Sequence, residues 1–187
     1  MIYSSYRTTP GRTPRDIETG GCNLWAFLTG KTAIITGAGR AVLKDGSCGS
    51  IGYGIATAYA KEGANLVITG RNVKKLEAAK QELESLYGIK VLTVQADVCA
   101  GGDNEATVAN VVKQAVDTFG GIQVLINNAQ ASASGVPLAE HTTEQFDLAI
   151  YSGLYAAFLL HESLLPLSGL SLTAASSTFA FRCWPLR

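Results

Sequence analysis

The feature that most constrains this chain is the run from Lys31 to Arg71, KTAIITGAGRAVLKDGSCGSIGYGIATAYAKEGANLVITGR. Thr32 to Thr36 is a short β-branched, apolar stretch, suited to a strand buried on both faces of a parallel sheet. Gly37 and Gly39 open a turn in which glycine is free to take positive φ. From Ile51 the apolar residues recur as Ile51, Ile55, Ala58 and Tyr59, one face of a helix that stops at Glu62-Gly63. Asn65 to Thr69 is a second apolar strand. Such a unit is built to seat a pyrophosphate. The glycines let backbone approach the anion, and the helix N-terminus offers N–H groups and a partial positive charge. Glycine-rich turns also join strands to helices with no ligand, so the flanking strand, helix and second strand carry the inference.

Two motifs in order then resemble one family. TGAGR…SIGYGIA resembles the TGxxxGxG turn of the short-chain dehydrogenase/reductase family, and NNAQ at Asn127 to Gln130 resembles its NNAG. The resemblance covers Leu28 to about Leu160. It implies a Rossmann-type, doubly wound parallel sheet in three α/β/α layers, incomplete here at about four strands with flanking helices. It also implies a nicotinamide dinucleotide cofactor and hydride transfer to or from a small carbonyl or alcohol. The cofactor-binding positions it marks are Gly37, Gly39, Arg40, Ser50, Ile51 and Gly52 in the turn, and Arg71 and Asn72 after the second strand. Asp97-Val98 corresponds to a segment lying against the adenine, although an Asp capping a turn reads the same way. Asn127-Asn128-Ala129 corresponds to a segment under the nicotinamide ribose, where short polar side chains satisfy backbone groups at the sheet's end. This sequence departs from the family in three places. Ala41 to Ser50 stand where a single glycine is usual, Ser50 falls at or near the second glycine, and Gln130 replaces the glycine of NNAG. The insertion is cheap, since each doubling of loop length costs about 0.6 kcal/mol in closure entropy.

NADP(H) is the expected cofactor, in preference to NAD(H). An acidic residue after the second strand normally holds a ribose 2′-hydroxyl. Here the turn reads Thr69-Gly70-Arg71-Asn72, with no acid, and Arg40 adds a second cation.

The 187 residues fit one domain, able to bury roughly 70% of the unfolded chain's surface. Fifteen basic and fifteen acidic residues cancel, so no strong field attracts nucleic acid or an anionic membrane. Cys22, Cys48, Cys99 and Cys183 form no CxxC pair and no ligand spacing with His141 or His161, which predicts neither a metal site nor a disulfide framework. Reduced thiols point to the cytoplasm. No apolar run nears the ~20 residues of a membrane-spanning helix. Residues 1–27, polar and rich in Arg, Pro and Gly, lack the apolar core of a secretory signal and read as a disordered leader.

Further helices are predicted from Asn72 to about Tyr87 and from Asn104 to Phe119, and further strands from Lys90 to Gln95 and from Gln123 to Asn127. Thr142 and Gln145 have the spacing of a capping box. The helix that follows, with Phe146, Ala149, Ile150, Gly153, Leu154, Ala157 and Phe158, matches the long family helix that often forms a subunit interface. The family tends to carry an active-site asparagine early in this helix, where this chain has Tyr151 and Ser152. Tyr151 and Tyr155 read as packing residues.

Residues 28–160 are therefore taken as the NAD(P)-binding unit and 161–187 as an atypical tail, with no lysine, no aspartate and one acid, Glu162. In one reading Gly169 to Ser177 is a divergent fifth strand. In the other, which is preferred, the tail is out of frame: His161 to Ser168, with the first base of the Gly169 codon, can be encoded so that a shifted frame gives Met-Lys-Ala-Cys-Tyr-Pro-Tyr-Leu, which resembles how this helix ends in the family. The family transfers hydride with a Tyr-x-x-x-Lys pair, the lysine lowering the tyrosine's pKa. No tyrosine here has a lysine four residues later, and the last lysine is Lys113. No catalytic residue and no metal ligand is assigned. Three outcomes follow for this chain: a reductase or dehydrogenase that works despite these losses, alone or with a partner chain, a dinucleotide-binding module without chemistry, or a non-functional truncated product. A homo-oligomer or aggregate is expected.

Unassisted, a tyrosine titrates near 10 and is a poor base at pH 7, and acid–base assistance contributes about 10²- to 10⁴-fold. This chain alone is therefore expected to show no NADPH oxidation with ketones, quinones or aldehydes. Turnover abolished by Tyr151→Phe or Tyr155→Phe would reverse that expectation.

Overall fold

The computed structural model describes residues 28–44, 46, 49–98, 104–133 and 135–165, together with the backbone of 173–176. The leader, all four cysteines and Leu167, Leu170, Leu172, Phe179, Phe181 and Trp184 of the tail lie outside the described residues.

Among the described residues five strands and five α-helices follow in order: β1 (Thr32–Thr36), α1 (Ile51–Lys61), β2 (Asn65–Gly70), α2 (Val73–Tyr87), β3 (Val91–Gln95), α3 (Asn104–Phe119), β4 (Val124–Asn127), α4 (Thr143–Ile150), α5 (Ala156–Leu164) and β5 (Thr173–Ser176). A π-helical turn, Tyr151–Tyr155, joins α4 to α5. The first four strands and first three helices start and stop within a residue of the positions that periodicity and caps predict. Local chemistry explains the agreement. Asn72 caps α2 by accepting from the Lys75 N–H, and Gly88 ends it in the left-handed region at φ +64°. Thr142 and Gln145 close the predicted capping box on α4.

All pairings are parallel, in the order β3-β2-β1-β4-β5. β1 thus lies between β2 and β4, and the chain winds outward from it in both directions. Alternate residues of each strand enter two cores. Ile34, Val67 and Leu125 pack with Val108, Val111 and Ala115 of α3 and Leu160 and Leu164 of α5. Ala33, Ile35, Leu66, Ile68 and Ile126 face Ala56 and Ala60 of α1 and Leu76 and Leu83 of α2. This is the expected three-layer, doubly wound architecture. It carries one strand more than the four expected, because the tail contributes β5, paired from Val124↔Thr173 to Asn127↔Ser176. This strand starts at Thr173 and lies within the Gly169 to Ser177 stretch named above. α5 also runs on through Leu164, past the boundary drawn at residue 160.

The α4–α5 helix departs from expectation in one respect. Tyr151 and Tyr155 are not packed inside; they are exposed and meet edge to face at 5.7 Å. The buried stripe consists instead of Ser152, Ala156, Leu159, Leu160 and Leu164. The opposite stripe, spaced every four residues, is Phe146, Ile150, Leu154 and Phe158, with Phe146 59% and Phe158 58% exposed. Leu148, Tyr151 and Tyr155 of the same helix are exposed as well. Contiguous exposed apolar surface of this kind is unusual on a monomer. The chain is therefore expected to form oligomers or aggregates. Light scattering at micromolar concentration checks this, and a monodisperse monomer would contradict it.

Candidate functional site

Where strand order reverses between β1 and β4, the connections leave the sheet in opposite directions and a crevice opens at the carboxyl ends of the strands. Its cavity, about 220 Å³, is lined by Gly37 after β1, by Thr69, Gly70 and Arg71 at the end of β2, by Ala96, Asp97 and Val98 after β3, and by Asn128 to Ala131 after β4.

Two devices shape it. The first is a hydrogen-bonded knot. Thr36 Oγ1 accepts from the N–H groups of Asn128 and Ala129, both at 2.9 Å, and donates to the Ile126 carbonyl at 3.4 Å. One proton and two lone pairs are all a hydroxyl has, so its capacity is filled. The Asn128 amide then donates to the carbonyls of Thr36, at 2.9 Å, and Gly37, at 3.4 Å. The second is close approach of backbone. Gly37 has φ +71°, and its N–H and that of Ala38 both donate to the Thr69 carbonyl, at 2.9 and 3.1 Å. A Cβ on Gly52 would come within 2.4 Å of the Gly37 oxygen and 2.5 Å of Asn128 Nδ2, so only glycine lets α1 begin this close to the turn.

Of the thirteen sequence-assigned residues, Gly37, Arg71, Asp97, Val98, Asn128 and Ala129 line the cavity. The others act from outside it. Ser50 caps α1, accepting from the Tyr53 N–H, and Asn72 caps α2. Ile51 is exposed at the start of α1, and Asn127 is buried within β4. Gly39 does not have positive φ; its tight neighbour is the Lys75 side chain, since a Cβ at Gly39 would meet Lys75 Cβ at 3.1 Å. Arg40 is the clearest displacement. Its guanidinium is ion-paired with Glu82 of α2 and lines a separate hollow with Tyr53, Leu86 and Tyr87. Their bond raises the pKa of Arg40 and lowers that of Glu82. Burial, with help from Glu82, pushes the Tyr53 phenol up to about 12. Residue spacing cannot show that an acid on the next helix competes for Arg40.

Sequence reasoning also missed site residues. Thr36, Thr69, Gly70 and Gln130 stand inside the quoted motifs and turns without being assigned to the site, and Ala96 and Ala131 are not assigned to it either; all but Thr36 line the cavity. A threonine immediately before the glycine turn is the one local signal that pointed to a strand-end hydrogen-bonding role. Among the described residues no group of three His, Cys, Asp or Glu gathers into a metal site, and no helix is long and apolar enough to cross a membrane.

Residues 31–171 match the family model described as short chain dehydrogenase, a match that runs past His161. The chain is 58% identical over 140 residues to the 12alpha-hydroxysteroid dehydrogenase of a Clostridium species, covering 75% of this chain and 51% of that one. It is 36% identical over 140 residues to the uncharacterized oxidoreductase YhxC of Bacillus subtilis, covering 74% and 44%. It thus spans about half the length of these relatives. Among solved structures, L-sorbose reductase of Gluconobacter frateurii complexed with NADPH and L-sorbose superposes with TM-score 0.63 at 32% identity, covering 74% of this chain and 48% of that one. The alcohol dehydrogenase of Thermococcus sibiricus complexed with 5-hydroxy-NADP does so with TM-score 0.67 at 28% identity, covering 78% and 57%.

The knot yields a stability test. Thr36→Val keeps the side-chain shape but leaves the Asn128 and Ala129 N–H groups without their acceptor. Both donors are part-buried, which places the cost at the lower end of the range for an unsatisfied buried group, about 1 kcal/mol. Urea unfolding should show a loss of that size, and an unchanged midpoint would contradict the role given to Thr36.

Proposed function

The chain belongs to the short-chain dehydrogenase family, and on that premise we propose that it binds NADP(H) in the crevice as the nucleotide-binding half of an oxidoreductase. The pyrophosphate lies over Gly37 at the N-terminus of α1, where Ser50 caps the first turn. The adenosine half lies over β2 and β3, against Arg71, Asp97 and Val98, and the nicotinamide ribose over β4, beside Asn128 and Ala129.

One observation carries the choice of cofactor. At the end of β2, where an acid would hold a ribose 2′-hydroxyl, the exposed Arg71 lines the cavity, and the Thr69 to Asn72 turn has no acid. Arg40, held by Glu82, is not needed for the reading. The NADPH and 5-hydroxy-NADP complexes among the structural neighbours support it.

For the whole protein we propose hydride transfer between the nicotinamide and a secondary alcohol or its ketone. The 12alpha-hydroxysteroid dehydrogenase relative points to a steroid alcohol as the substrate class. When bound, the cofactor supplies the hydride or its acceptor; the chain's own residues bind and orient it. The nucleotide-binding unit is proposed to include residues 28–160 and to work in the cytoplasm.

A guanidinium holding the 2′-phosphate bidentately is worth about 1.5–3 kcal/mol, or roughly 10- to 150-fold in affinity. NADPH should therefore bind tighter than NADH by that factor, with Arg71→Ala bringing the two together. Equal dissociation constants that Arg71→Ala leaves unchanged would refute the assignment.

A further inference from the structure

Ser152 is only 1% exposed, yet the shortest hydrogen bonds of its hydroxyl leave its own helix. A buried helical serine ordinarily bonds back to a carbonyl three or four residues earlier. Here that contact, to the Ala149 carbonyl, is the longest of three, at 3.4 Å. The two shorter ones cross to the loop after β4. Ser152 Oγ accepts from the Ala131 N–H at 3.0 Å and donates to the Ala131 carbonyl at 3.1 Å. One side chain thus takes both backbone groups of a residue in the crevice wall. The π-helical turn at Tyr151–Tyr155 is where this happens, and such turns recur at functional sites. The neighbouring Gly153 lies against the Gln130 side chain, the next wall residue; a Cβ there would sit 3.4 Å from Gln130 Nε2.

We propose that Ser152 is a positioning residue, fixing Ala131, and with it the wall over β4, for the nicotinamide-ribose half of the dinucleotide. The proposal rests on the reading that the crevice binds NADP(H). If Arg71 at the end of β2 takes the 2′-phosphate, the adenosine half is spread over β2 and β3. With strands about 4.8 Å apart, the other half reaches β4, where Ala131 lies. Ser152 would touch no part of the ligand and would act through Ala131.

The location predicts a selective defect. NADPH and adenosine 2′,5′-bisphosphate, which carries only the adenosine half, are titrated against the full 187-residue chain and its Ser152→Ala and Ser152→Cys variants. Cysteine preserves the packing and keeps the variant folded while removing most of the hydrogen bonding. In both variants NADPH should bind about tenfold more weakly, and the bisphosphate should bind as in the parent. Hydrogen exchange should accelerate in the 128–133 segment while β1 stays protected. Equal weakening of both ligands, loss of protection in β1, or unchanged NADPH binding would each overturn the proposal. A parent chain that binds the bisphosphate but not NADPH would also overturn it, while leaving the adenosine half of the functional reading intact. A parent that binds neither overturns the dinucleotide reading itself, and this proposal with it.

Discussion

The knot at Thr36 is the interaction on which the rest of the crevice depends. At the switch between β1 and β4 the neighbouring connections leave in opposite directions, so the sheet's own ladder ends there. The backbone groups past that point need other partners, because a buried, unpaired N–H or C=O costs free energy comparable to a lost hydrogen bond. Thr36 and Asn128 supply those partners across the gap. By holding two strand ends together at their tips, they let the chain diverge above without separating the strands below. Gly52 then lets α1 start directly over the Gly37 carbonyl, which brings a helix N-terminus to the same place.

The two arginines near this opening face different electrostatic surroundings. Arg71 stands at the end of β2 in the cavity wall. Arg40 emerges beside α2 and is taken by Glu82, which also interacts with the buried Tyr53 phenol. Both members of the pair are partly exposed, so screening leaves it little net stabilising value. Its consequence is for availability: a guanidinium already facing a carboxylate presents less attraction to an incoming phosphate.

The α4–α5 helix has a different task on each side. Toward the sheet, Ala156, Leu159, Leu160 and Leu164 fill the core against α3, and Ser152 secures the loop after β4. Outward, it shows an apolar stripe that the described residues leave uncovered. The π-helical turn lies between these two demands, shifting the phase of the helix so that a small polar residue faces the crevice wall within an otherwise apolar inner face.

Much of this was legible in the sequence because it depends on neighbours along the chain. Strand runs, the caps at Asn72 and Thr142, the stop at Gly88 and the glycine turn follow from local sterics and hydrogen bonding, which fixed the parallel α/β class and the place of the crevice. The resemblance to a known family pointed to Asp97 and Asn128, both of which line the crevice, where spacing alone leaves them as turn residues. What needed the tertiary structure were pairings across long stretches of chain. Thr36 with Asn128, Arg40 with Glu82 and Ser152 with Ala131 are 92, 42 and 21 residues apart. So too with β5: a weakly alternating tail has little strand preference of its own, and Thr173 to Ser176 are strand because the free edge of β4 offers them a ladder. Local propensity determines which segments form. Which polar groups meet at their ends is decided only when packing brings those ends together.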